Sequence, residues 1–394
     1  MKIALYSQYF VSKFEYMENG FSREFQRLGH DVIIVTGVKR YPKLYSEALE
    51  IKLGQNKISP GEYDENGIKI VRLEMRETGL QGNIGIPKRF ISNLKKYSID
   101  IIFFQSLELY QAAVLAVITK YYLRCKLYMV VNEHYVHKNT SGNPKINSRF
   151  KYFKKFLKKL IKRAILKLSD RVIGMNEYSS MVAKKICPSV ESKLVEVTLA
   201  VDHYNIYFKP DFRIIIRKKY GISDDNIVII HTGKLLPFKK TDVLVQAVGI
   251  INDPKIRIML VGHGPENYLN KIKKIAISYG IDNKILFIPF VDSKKVHHYY
   301  SAADIAVWPD SLTISTIEAS AVGIPVIVPN YHGYEHRTKY NNGLRIRPGD
   351  VKDLVEKLKY LIANDSRRKL MGEKGRDLVE RELNWEKIVS KILA

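Results

Sequence analysis

The chain has 394 residues, 46% of them hydrophobic, and a formal net charge of +25. Its length suits two domains, and its charge fits an anionic partner, whether phosphorylated substrate, lipid surface or nucleic acid, although a Lys-rich composition bias accounts for it equally well. Cys125 and Cys187 lie far apart, which excludes a disulfide framework and suits a reducing compartment, and the absence of any run of about 20 apolar residues excludes a membrane span.

The start, Met1-Lys-Ile-Ala-Leu-Tyr, reads as a strand, not a signal peptide. A cytoplasmic chain, peripheral to a membrane at most, is expected. Further strands are expected at 31–36, 68–73, 101–105, 126–132, 171–175 and 194–198. Most are continuous β-branched or aromatic runs, as in strands covered on both faces. Helices fit between them, among them 15–28 and 109–123. Residues 37–64 are polar and poorly periodic and read as a long loop. Pro210 interrupts the pattern, and a second series follows. Its strands are expected at 227–231, 257–261, 285–289, 305–308, 325–328 and 344–346, with helices at 242–251, 266–279, 294–302, 313–322 and 351–363. Two βαβ series imply two Rossmann-like domains, at 1–205 and 206–375. Residues 376–394 form a helical segment that packs back on the first domain.

Within the second series, Trp308-Pro-Asp-Ser-Leu-Thr-Ile-Ser-Thr-Ile-Glu318 places two acids, Asp310 and Glu318, around a strand–loop–helix junction. Such a junction lies at the carboxyl edge of a parallel sheet, where ligands of open α/β sheets bind. Helix N-terminal amides there favour phosphate. The pair therefore reads as two acids holding the hydroxyls of a phosphorylated ligand. Gly262 and Gly264 flank His263 after a strand, where glycines permit close backbone approach to a ligand.

The second half resembles the family-4 retaining glycosyltransferases of the GT-B fold. The resemblance rests on Gly233-Lys-Leu-Leu-Pro-Phe-Lys239, Val261-Gly-His-Gly-Pro265, Ala302-Ala-Asp304, the Asp310–Glu318 segment, Gly323-Ile-Pro-Val326, Glu335 and Gly343 to Asp350, in order and spacing. The first half is similar more thinly, at 29–36, 100–102, 169–173 and 201–202. The resemblance implies an α/β protein of two Rossmann-like domains facing a central cleft. Asp310, one methylene shorter than the family's glutamate, falls where the donor hexose is read. Glu318 falls on the nucleotide ribose, and Lys234 and Lys239 on the donor diphosphate. The amides of Leu312, Thr313 and Ile314 complete the phosphate cradle, and Gly262, Gly264, Phe290 and Val291 line the nucleotide pocket. His134, with His137 as fallback, faces the reaction centre. Ser12, Lys13 and Gln105 lie on the acceptor side, and Glu335 is structural. His134, Asp310 and Lys239 are the residues assigned to catalysis.

Residues 149–168 carry nine Lys/Arg and no acid, with Phe150, Phe153, Phe156, Leu157, Leu160, Ile161, Ala164, Ile165 and Leu168 at helical spacing. A basic amphipathic helix suits an anionic membrane surface, or else packs its apolar face in the core. The whole reading is a hexosyltransferase using a nucleoside-diphosphate sugar, UDP-linked by expectation, and a lipid-linked or surface glycan as acceptor. No cofactor and no metal is expected, because lysines and helix amides carry the positive charge. Alternatives are a nucleotide-sugar epimerase or hydrolase on the same fold, or a nucleic-acid-binding protein. No nucleic-acid motif supports the last.

Overall fold

Runs such as Ile3-Ala-Leu-Tyr6 and Ile101-Ile-Phe-Phe104 have no polar face, so each strand must be covered on both sides. Their side chains are all 2% exposed or less. In the computed structural model, which describes residues 1–12, 16–41, 55–65, 67–78, 84–105, 107–132 and 149–394, these runs form the centre of an eight-stranded sheet. Its strands are β1 (Lys2–Tyr6), β2 (Asp31–Gly37), β3 (Gly61–Glu65), β4 (Ile68–Leu73), β7 (Ile101–Gln105), β8 (Lys126–Val131), β9 (Arg171–Gly174) and β10 (Leu194–Glu196), in the order β10-β9-β8-β7-β1-β2-β4-β3. All pairs are parallel except β3 with β4. β5 (Met75–Thr78) and β6 (Ile84–Pro87) form a separate antiparallel pair. Tyr6 stacks on Phe104 with ring centroids 4.4 Å apart.

The helices of this unit are α1 (Met17–Arg27), α2 (Phe90–Lys95), α3 (Tyr110–Leu123), α4 (Arg149–Leu168) and α5 (Glu177–Ile186). The segment 37–64, expected to be loop throughout, contains β3. Its antiparallel pairing with β4 supplies the partner that its polar residues do not announce.

α4 departs from the expected single apolar face. Ile165 and Leu166 are buried in the core of the unit, and Lys162 on the same side pairs with Glu108. Phe153, Phe156, Leu157 and Leu160 are exposed. Among the described side chains, those fully buried lie in the C-terminal third of the helix.

The second unit holds six parallel strands: β11 (Ile227–Thr232), β12 (Ile256–Val261), β13 (Ile285–Ile288), β14 (Ile305–Val307), β15 (Val326–Pro329) and β16 (Gly343–Ile346). Their order is β13-β12-β11-β14-β15-β16. This is the doubly wound dinucleotide-fold order, in which direction reverses between the first and fourth strands. Around the sheet pack α6 (Pro210–Lys219), α7 (Thr241–Ile251), α8 (Glu266–Ser278), α9 (Ser293–Ala302), α10 (Ile314–Ala321), α11 (Val351–Ala363), α12 (Asp365–Arg381) and α13 (Trp385–Leu393).

Pro210 does not interrupt structure. It opens α6 at its first position, where the missing amide costs nothing. α6 is then tied down by Arg213 and Arg217, which bond the two oxygens of Asp304 at 2.8 and 2.7 Å. Asp304 also accepts from the Val228 amide at the start of β11. The two compact units divide at Thr198/Leu199, not at 205/206. Residues to Lys387 stay with the second unit, because α12 runs unbroken through 375/376, while 388–394 belong to the first. There the Arg171 guanidinium donates to the Ile392 carbonyl.

Candidate active site

β11 and β14 diverge in connection direction, so a crevice opens between their carboxyl ends. Two buried hydrogen bonds stitch its floor. Trp308 Nε1 donates to the Thr232 carbonyl at 3.0 Å, and His231 Nδ1 donates to the Val307 carbonyl at 2.8 Å. The carbonyl only accepts, so the proton sits on Nδ1. Burial lowers the His231 pKa to about 4, so the ring is neutral at pH 7 and serves as a structural staple.

The loop leaving β11 carries Lys234 and Lys239. Lys239 is 9% exposed. Burial lowers its pKa to about 8, and no nearby carboxylate offsets that cost. Burial and the neighbouring Lys239 charge lower Lys234 to about 8 as well. The Lys239 ammonium lies against Gly233, where an added Cβ would sit 3.4 Å from Nζ. A buried and a half-buried cation side by side favour an anion.

A Cβ on Gly262 would lie 1.8 Å from the Gly233 carbonyl oxygen, and one on Gly264 would lie 1.9 Å from that of Leu235. The lysine-bearing loop approaches these glycines closely. The amides of Gly233 and Leu235 donate across the same seam to Val261 and His263 carbonyls, both at 2.9 Å. The glycine pair therefore fixes the loop that carries the lysines. Phe290 and Val291 are both half-buried in the segment after β13.

On the β14 side, Thr313 is the N-cap of α10, yet its side chain makes no capping bond. The buried hydroxyls Ser311 Oγ and Thr313 Oγ1 have no partner among the described residues. Leu312, Thr313 and Ile314 are half-buried around the open first turn. Glu318, one turn further on, is 4% exposed. Tyr300 of α9 sends its hydroxyl to Glu318 Oε2 at 3.3 Å, and the same hydroxyl meets Thr232 Oγ1 at 2.5 Å and the Ser315 carbonyl at 3.2 Å.

Asp310 is held in the same manner, because the Tyr331 hydroxyl donates to its Oδ1. Gly349, with φ +68°, packs beside Asp310 Oδ2 and Lys240 Cγ, at 3.8 and 3.7 Å from where a Cβ would stand. Its amide donates to the Pro309 carbonyl at 3.0 Å. Each acid is thus oriented by a tyrosine that the sequence did not single out. Glu335, read as structural, bonds Arg345 at 3.3 Å.

The first unit has its own switch point, between β1 and β7. Gln105 ends β7 half-buried. Glu18, in the first turn of α1, was not anticipated from sequence. Its Oε1 lies 2.6 Å from Ser7 Oγ, and Ser7 Oγ lies 2.9 Å from the Tyr9 carbonyl. Burial raises the pKa of Glu18, with Ser7 and Gln105 acting against it. Ser12 Oγ donates to Glu65 Oε2 at 2.5 Å, and Arg72, 1% exposed, anchors the same loop through the Phe10 carbonyl at 3.3 Å. Lys13, His134 and His137 lie outside the described residues.

The fold of the whole chain is the GT-B fold. Sucrose-phosphate synthase from Thermosynechococcus elongatus superposes with a TM-score of 0.72 at 18% identity, over 99% of this chain and 97% of that one. HepE of Anabaena, determined with UDP and glucose, gives 0.72 at 15% identity, over 100% and 99%. Residues 212–378 match the family described as "Glycosyl transferases group 1". A curated relative is the GDP-mannose-dependent monoacylated alpha-(1-6)-phosphatidylinositol monomannoside mannosyltransferase of Corynebacterium glutamicum. It is 30% identical over 189 residues, covering 45% of this chain and 49% of the relative. The chain spans about half the length of the curated relatives it matches.

Proposed function

We propose that this chain transfers a hexose from a nucleoside-diphosphate sugar to a hydroxyl of a lipid-linked or surface glycan, with retention at the anomeric carbon. The observation that carries the reading is the pair of lysines side by side at the β11–β14 switch point, Lys239 buried and Lys234 half-buried, each with its pKa lowered to about 8. When the anomeric C–O bond breaks, its electron pair leaves with the diphosphate. Lys234, Lys239 and the first-turn amides of α10 meet that charge without reorganising. The acceptor oxygen forms the new bond, and its proton passes to the departing phosphate oxygen. Glu318 holds the ribose hydroxyls, and Asp310 accepts from a hexose hydroxyl.

Uridine is the expected base, in keeping with the UDP bound by HepE. Guanine is the second reading, because the Corynebacterium relative is named for GDP-mannose. That relative's name also specifies a phosphatidylinositol-linked acceptor, which supports an acceptor presented at a membrane. The test is a thermal-shift and hydrolysis panel of UDP-, GDP- and ADP-sugars. One of them should stabilise the chain and turn over slowly in water. Stabilisation by none overturns the donor assignment, and rapid acceptor-free turnover favours an epimerase or hydrolase.

Tyr331 gives a finer test. Its phenol bonds Oδ1 of Asp310, the acid assigned to the sugar. Tyr331→Phe should change the ratio of kcat/KM between donors epimeric at one hydroxyl by about tenfold. Affinity for the free nucleoside diphosphate should not move. An unchanged ratio would remove Tyr331 from sugar reading.

A further inference from the structure

We propose that the outward faces of α3 and of the N-terminal half of α4 form one docking surface for an anionic lipid bilayer. The proposal stands apart from the donor chemistry and is tested without it. β7, β8 and β9 are neighbours in chain order, so right-handed crossovers put α3 and α4 on the same face of the first sheet. The helices lie side by side and run the same way. The Lys158 ammonium sits 5.5 Å from the Tyr110 ring centroid, and Lys120 Nζ donates to the Leu168 carbonyl at 2.8 Å.

Ala112, Ala113, Ala116 and Thr119 bury one side of α3 completely. On the other side Val114, Ile118, Tyr121 and Tyr122 are 38–60% exposed. On α4, helical geometry puts Phe153, Phe156, Leu157 and Leu160 within an arc of about 100°, opposite the buried Ile165 and Leu166. These four are 45–61% exposed. Eight large apolar side chains on two adjacent helices exceed the scatter of single surface hydrophobics and mark a partner.

Charge selects the partner. α4 carries nine Lys/Arg and no acid, and the one acid within 107–132 is Glu108. Lys158 and Lys162 both pair with Glu108 and hold its pKa down to about 2. Lys159 and Arg163 remain exposed beside one edge of the apolar arc. Apolar side chains flanked by cations fit the boundary between acyl chains and anionic headgroups, and Tyr121 and Tyr122 suit the interfacial layer. A second copy of this chain fits poorly, since it would bring two such cationic faces together. Residues 149–157 run about 13 Å beyond Lys158, past the carboxyl edge of the sheet marked by Glu108. Docking by this tip brings that edge, with Ser7, Glu18 and Gln105, close to the lipid headgroups.

Co-sedimentation of the full chain with phosphatidylcholine vesicles, with and without phosphatidylglycerol, tests the proposal. The chain should pellet with the anionic vesicles and stay in solution with the neutral ones. Lys159→Gln and Arg163→Gln should each weaken partitioning about fivefold. A Phe153→Asp/Phe156→Asp double variant should weaken it more than about tenfold. All these side chains are exposed, so the variants should keep the parent Tm. No binding by the parent chain overturns the proposal. So does undiminished binding by the double variant, or a parent dimer in solution that the double variant dissolves.

Discussion

Glu318→Ala should abolish nucleotide-sugar use while the chain stays folded. The carboxylate is nearly fully buried, and the Tyr300 hydroxyl bonds it. With the carboxylate gone, that hydroxyl still has Thr232 Oγ1 and the Ser315 carbonyl, so it is not orphaned. Alanine also suits the interior of α10. Stability should therefore change little. The ribose loses its charged acceptor, and hydrogen bonds to charged groups contribute about 1.5–3 kcal/mol each. A fall in kcat/KM of at least about a hundredfold is expected if both ribose hydroxyls are held. Steady-state turnover beside a thermal melt measures both quantities. Retained turnover with an unchanged melt would remove Glu318 from the site.

Lys239→Met should weaken nucleoside-diphosphate binding about a hundredfold and raise the Tm of the ligand-free chain. Both follow from one fact, a cation buried without a carboxylate. The pH dependence has two opposing limbs. In the free chain Lys234 and Lys239 deprotonate near pH 8, against 10.5 for an ordinary lysine. Between those values the unfolded chain holds more protons than the folded one, so their contribution to stability rises with pH. Binding requires the protonated lysines, so nucleotide affinity falls as pH rises above 8. Melts with and without nucleoside diphosphate across this window should show the ligand-induced shift shrinking while the free-chain Tm gains. A shift that stays constant would place the phosphates elsewhere.

The strands were legible because both sheets are covered on both faces, which leaves uninterrupted apolar runs with little ambiguity of period. The lysine loop and Glu318 were legible because each sits at a strand end in a motif of fixed spacing. Tyr300, Tyr331 and Glu18 were not. Each acts on a residue brought to it by tertiary folding, and nothing in the local sequence of a tyrosine shows which carboxylate it will meet. Gly262 and Gly264 were visible as sites of close approach, but the sequence does not show that the lysine loop is one of the things that approaches. In α4, helical periodicity averages twenty residues that meet two environments. Leu166 falls outside the apolar stripe and is buried, while Phe153 and Phe156 fall inside it and are exposed.

The contact between Tyr331 and Asp310 bears on how this protein could acquire a new donor. The phenol bonds Oδ1 of Asp310, so the longer acid of Asp310→Glu alone would have to displace that contact. Loss of the tyrosine alone leaves a short acid free to change rotamer. Either single change passes through a form that reads no sugar well. A shift in donor range therefore runs through paired replacement at 310 and 331, and libraries that vary one position at a time will record both as intolerant.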